Sequence, residues 1–145
     1  MRSLDDYRTL ARAEIAGMRD GDQRDLEAFM LVIGFCDSLG QLILFETTER
    51  ILGFVGWIRG NLEHLPLFKA RQFDAIRALP RQVLTGGSVL FIAETLTLEP
   101  GLSGRAAREL SRLPGVERIC AFVDGGDPPT RRFRERRIRH KRGLH

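Results

Sequence analysis

The stretch from Val89 to Leu113, VLFIAETLTLEPGLSGRAARELSRL, constrains the fold of this chain more than any other. Its first ten residues carry β-branched and aromatic side chains in partial alternation, Phe91, Ala93, Thr95 and Thr97 against Ile92, Glu94, Leu96 and Leu98, and predict a buried strand. Glu99-Pro100-Gly101 breaks it. Beyond the break, Ser103 is placed to cap a helix whose Ala106, Leu110 and Leu113 share one face and whose Arg105, Arg108 and Arg112 share another. A loop entering a helix aims unpaired backbone N–H groups and the positive end of the macrodipole at one point, which suits a phosphate. A plain strand-helix connection with two glycines fits the same residues, because short glycine motifs are weak signals.

The line Leu96-Thr-Leu-Glu-Pro-Gly-Leu-Ser-Gly-Arg-Ala-Ala107 resembles the acyl-CoA-binding strand, loop and helix of the GNAT superfamily of N-acetyltransferases. In that superfamily a hydrophobic strand, an acidic residue and a proline precede Arg/Gln-x-x-Gly-x-Gly/Ala. Two registers fit. Gly101-x-x-Gly104-x-Ala106 keeps the glycine and the alanine without the leading Arg or Gln, whereas alignment on Pro100 puts Ser103 at the leading position and Ala106 at the key glycine. Downstream, Val116 to Val123 reads as the next strand, and Asp127 to Arg136 is similar to the superfamily's Asn-x-x-Ala-x-x-Phe-Tyr-Glu-Lys/Arg segment, with Arg134 where the Tyr general acid stands. From Phe29 to Glu63, and again at Gly87 to Ile92, the chain also resembles the toxin-activating lysine acyltransferases. Gly21 and Ala93 occupy the positions of that family's catalytic His and Asp.

The resemblance implies an α+β fold with a GNAT-like mixed sheet flanked by helices and shortened at the C-terminus. It also implies acetyl-CoA, a longer acyl-CoA or an acyl carrier protein as the acyl donor. A backbone N–H around Leu98, unpaired where the strand bends, would polarise the thioester carbonyl. The pyrophosphate would rest on Gly104, Arg105 and Ala106, with Gly101 and Ser103 completing the loop. The superfamily ordinarily continues with two further strands on the acceptor side, so the Val116 to Val123 strand is expected at an exposed edge that invites a partner.

Amine acylation also needs a base. Glu94, mid-strand beside the expected thioester, is the candidate if partly buried; its alternative is an outward strand residue paired with an arginine. His64 lies in a connector with no matched Asp or Ser motif and reads as a base by proximity or as an ordinary surface residue. No residue set has metal-ligand spacing. Cys36 and Cys120 sit in apolar segments and predict buried, reduced thiols.

The remaining segments surround this unit. A helical stripe runs from Ser3 to Gly21, and a second helix from near Asp22 carries Leu26, Phe29, Met30 and Ile33 inward as far as Gly40, although LVIGF also suits a strand. Gln41 to Glu46 and Ile51 to Ile58 predict an antiparallel hairpin, and Leu67 to Leu79 a helix closed by Pro80. With 145 residues, 43% of them hydrophobic, the chain suits one domain, residues 1–130, followed by an Arg-rich helix or tail, residues 131–145. The helix is expected to reach Arg137 with Phe133 docked on the sheet.

The formal charge is +4, and Arg131, Arg132, Arg134, Arg136, Arg137, Arg139, Lys141 and Arg142 crowd the tail, leaving the remainder acidic. Such a tail suits nucleic acid through residues 131–142, an acidic protein surface, anionic lipid, or nothing beyond a solvated end. No apolar run is long enough for a membrane span or a signal core, so the expectation is a cytoplasmic protein, or a virion component if phage-encoded. Two readings of function follow. One is an acyl-CoA or acyl carrier protein dependent N-acyltransferase. The other is a catalytically silent protein of the same fold that serves as an interaction or assembly component, in association with a protein partner or its own copies.

Overall fold

The computed structural model describes residues 26–49, 51–99, 101–125 and 130–138, with Thr9 alone before them. The predicted Ser3 to Gly21 helix, the start of the second helix, the turn residues 126–129 and the end of the tail lie outside the described residues. The elements in order are helix α1 (Leu26–Ser38), strands β1 (Leu42–Glu46) and β2 (Ile51–Gly60), and a 3-10 turn (Leu62–His64). Short helices α2 (Leu65–Lys69), α3 (Phe73–Arg77) and α4 (Arg81–Gly86) follow, then β3 (Val89–Thr97), α5 (Leu102–Leu110), β4 (Arg118–Gly125) and β5 (Thr130–Arg137).

The five strands form one sheet in the order β1-β2-β3-β4-β5. β1 and β2 are an antiparallel hairpin, Leu42 facing Gly56 and Phe45 facing Gly53. β2 and β3 also run antiparallel, since the Leu98 N–H donates to the Leu52 carbonyl at one end (2.8 Å) and the Ser88 N–H meets Asn61 Oδ1 at the other (3.4 Å). β3 and β4 are parallel, joined across α5, and β4 and β5 are antiparallel. The result is an α+β fold with a mixed sheet and flanking helices. No helix among the described residues is long and apolar enough to cross a membrane.

Contacts group into two units, Met1–Trp57 with Ala93–Ala106, and Ile58–Ile92 with Ala107–His145. In the first, the helical spacing of α1 puts Phe29, Met30 and Ile33 into one apolar cluster with Ile51, Phe54 and Leu96. Phe29 and Phe54 lie 5.8 Å apart between ring centroids. Fully burying each such side chain contributes about 1.5–3 kcal/mol. Gln41 ties the end of α1 to the hairpin: its N–H donates to the Cys36 carbonyl (2.9 Å) and its side-chain amide to the Trp57 carbonyl (3.0 Å).

The second unit is built on aromatic rings and one buried cation. Phe91 stacks on Phe68 at 5.0 Å and meets Phe122 and Phe133 at 6.3 and 6.4 Å. Gly60 and Gly87 let two backbones touch, because a Cβ at Gly87 would fall on the Gly60 main chain. Arg59 is buried and donates from Nε to the Gly87 carbonyl (2.7 Å) and from a terminal nitrogen to the Pro114 carbonyl (2.8 Å). Loss of solvent lowers its pKa, and the two carbonyls satisfy donors that would otherwise be buried without partners.

Four expectations are corrected. The predicted Leu67 to Leu79 helix is two helices, because Arg71 turns left-handed (φ +52°) between α2 and α3. Pro80 closes α3 and also opens α4, a helix the sequence reading omits, since proline is compatible with a helix start. The Arg-rich segment is not a helix: residues 130–137 are strand β5, with Phe133 directly opposite Phe122. The Val116 to Val123 segment is therefore not an edge, since β5 pairs along β4 (Arg118–Gly125) and ends the sheet in its place.

Candidate functional site

The predicted loop and helix start exist, but in a different register. Gly101 adopts φ +87°, a left-handed conformation that costs a side-chain-bearing residue about 1–2 kcal/mol. Its carbonyl accepts the first helical hydrogen bond, from the Arg105 N–H at 3.0 Å. Gly101, not Ser103, is thus the residue that precedes the helix. The Arg105 amide is already used inside α5, and Ala106 follows it into the helical ladder. The amides left at the helix start are those of Leu102, Ser103 and Gly104. Of the residues assigned to phosphate contact from the sequence, only Gly104 stands among the first three helical residues, whose amides have no partner within α5; Arg105 and Ala106 do not.

Side chains around this start are arranged for approach from outside. Gly101, Ser103, Gly104 and Arg105 are exposed, while Ala106 and Leu110 are buried and anchor the helix. A Cβ placed on Gly101 would meet nothing within 4 Å, so the outer side of the loop is open.

At the strand end, the expected free amide of Leu98 is not free, because it is bonded to Leu52. Strand alternation sends the preceding amide, that of Thr97, to the opposite side of β3. The parallel ladder with β4 runs from Val89↔Arg118 to Ile92↔Ala121, whereas β3 continues to Thr97. The Thr97 amide therefore leaves the strand past the end of that ladder.

Glu94 is 5% exposed and is not the outward strand residue of the alternative reading. It lies on the α1 side of β3, close enough that its charge, after burial itself, helps to push the Cys36 thiol up to about 12. Burial and then Glu135 push Cys120 up to about 12 as well. Both cysteines are free thiols in the core and are un-ionised near neutral pH.

His64 does not stand as a base. Its Nδ1 accepts the Asn61 N–H at 2.9 Å, so the ring closes the 3-10 turn. His140 and His145 lie outside the described residues. Sequence reasoning missed Arg59, although one charge inside the apolar run ILGFVGWIRG signals a buried, bonded cation. It also missed Arg71, whose guanidinium lies 5.0 Å from the Phe73 ring and 5.5 Å from that of Phe122.

No protein-family model matches the sequence, and no curated protein matches it. Among solved structures the chain is similar to the crystal structure of the loading GNATL domain of CurA from Lyngbya majuscula, with a TM-score of 0.58 and 18% identity. The alignment covers 84% of this chain and 62% of that one, so the chain spans less than two thirds of the length of its structural neighbour. At this identity the likeness concerns the fold, and the fold of this chain is GNAT-like.

Proposed function

We propose that the chain binds an acyl thioester of coenzyme A, or of an acyl carrier protein, and transfers the acyl group to an amine. The observation that carries this reading is the start of α5, where three amides without helical partners sit on an exposed, glycine-containing turn directly after β3. Partial positive charge concentrated there suits a pyrophosphate. The Thr97 N–H would donate to the thioester carbonyl oxygen in place of Leu98, stabilising the oxyanion as the amine attacks and the thiolate leaves. Glu94 would take the proton from the attacking nitrogen.

A second reading, a binding protein without transfer, is favoured by one observation. Arg134, at the position of the superfamily's phenolic acid, is an exposed guanidinium on β5, and a guanidinium does not give up its proton to a leaving thiolate as a phenol does.

Isothermal titration with acetyl-CoA and longer acyl-CoAs tests the binding half. Saturable heat is expected, and the exposed Gly104→Asp variant, which sets a carboxylate beside the amides of the first helical turn, should lose at least about tenfold in affinity, about 1.4 kcal/mol, with its melting temperature unchanged. No heat and no thermal shift at millimolar ligand would end the proposal. Release of free thiol in the presence of an amine panel, abolished by Glu94→Gln, separates transfer from binding alone.

A further inference from the structure

Strand β5 presents two unlike faces. Register with β4 puts Phe133 opposite Phe122 and Glu135 opposite Cys120, and Glu135 also reaches Arg118 at 3.6 Å. The intervening residues Arg132, Arg134 and Arg136 oppose Val123, Ala121 and Ile119, and therefore line the other face together. All three are exposed, and none has an ion-pair partner among the described residues. They recur at about 6.8 Å, twice the strand rise.

β5 is also the last strand of the sheet, so among the described residues its outer row of N–H and C=O groups faces no strand. Near its end a groove of about 830 Å³ is lined by Ser111, Glu135, Arg136, Arg137 and Ile138.

We infer that β5 receives an extended polypeptide segment of a partner protein as a sixth strand, with acidic residues at every second position. Directly opposed side chains across such a pair stand about 4.5–5.5 Å apart, the spacing at which a carboxylate meets a guanidinium. The positions between them would face Phe133 and Glu135, so the pattern sought antiparallel to β5 is Glu-Lys-Glu-Val-Glu, the Val on Phe133 and the Lys on Glu135. A second copy of this chain pairing through the same edge would set arginine against arginine, which is unfavourable. A single-stranded nucleic acid fits less well. The one aromatic residue of β5, Phe133, packs on Phe122 at 5.3 Å on the opposite face, leaving the arginine face without a ring for bases to stack on. The inference rests on β5 alone and does not depend on acyl transfer.

Fluorescence anisotropy of the whole chain with labelled peptides carrying this five-residue pattern, in both directions, tests it at near-physiological salt. Three comparisons accompany it: a peptide with Gln for each Glu, a peptide N-methylated at the amides that face β5, and an oligothymidylate. The acidic peptide should bind. Arg134→Glu should weaken it at least tenfold without changing the melting temperature, since the residue is exposed, and N-methylation should abolish binding. Equal binding of the N-methylated peptide would show charge capture without strand addition and overturn the inference. So would binding of the oligonucleotide in preference to the peptide. Absence of peptide binding would leave the arginines only the task of blocking edge-to-edge aggregation, and would overturn it equally.

Discussion

The two cysteines tie residue chemistry to stability. Cys36 and Cys120 are held neutral by burial, with thiols pushed up to about 12 from an ordinary value of 9.0. The native state therefore keeps protons that the unfolded chain gives up once pH passes 9.0. The stability this confers is intact below that pH and falls as pH rises towards about 12. Urea titrations between pH 8 and 11 should show the midpoint decline with alkali in the native chain, about half as much in Cys36→Ala, and much less in the double variant Cys36→Ala, Cys120→Ala, each compared with its own neutral-pH value. Thiol titration at pH 8 should find both cysteines unreactive until the chain unfolds. These thiols were legible in the sequence, because cysteine within an apolar run has one common environment. Glu94 was less so, since its face on the strand depends on what covers that strand, which a local pattern does not state.

At the scale of elements, what could be read was what periodicity and turn chemistry announce: α1, the hairpin, β3 and the helix that follows it. Two failures have physical causes. Phe133 is the one apolar residue between Thr130 and Arg137, and a single anchor does not distinguish a period of 3.6 from a period of 2, so the register with β4 decided the outcome. Arg71 breaks a helix without a glycine or proline to mark it. Its left-handed backbone costs about 1–2 kcal/mol, while its guanidinium lies over Phe73 and Phe122 and recovers a comparable amount at about 0.5–1 kcal/mol per ring. Arg71→Ala keeps the strained backbone and loses the rings, so it should destabilise by about 1–2 kcal/mol. Arg71→Gly loses the rings but relieves the backbone, and should lie close to the parent. Denaturant melts of both variants check this; equal losses would mean that the backbone at Arg71 carries no strain.

For the whole molecule, the sequence resemblance anticipated a mixed sheet flanked by helices, with a strand, a glycine-containing turn, a helix and a further strand in succession, and that architecture is present. It did not anticipate that β5 would close the sheet where a helix was expected, nor which amides the sheet consumes. Leu98 is spent on pairing with Leu52, and Arg105 on the first turn of α5. The first is set by a hydrogen-bond partner distant in sequence, which residue types do not encode, and the second by the residue at which the helix starts, which Gly-Leu-Ser-Gly leaves open. They move the proposed thioester contact to Thr97 and the phosphate contact to Leu102, Ser103 and Gly104. Amide chemical-shift mapping of the nitrogen-15-labelled chain during an acetyl-CoA titration tests this assignment most directly. The account predicts saturable shifts centred on the amides of Thr97, Leu102, Ser103 and Gly104, larger than at Arg105 and Leu98. Shifts absent throughout, or centred away from the start of α5, would contradict it.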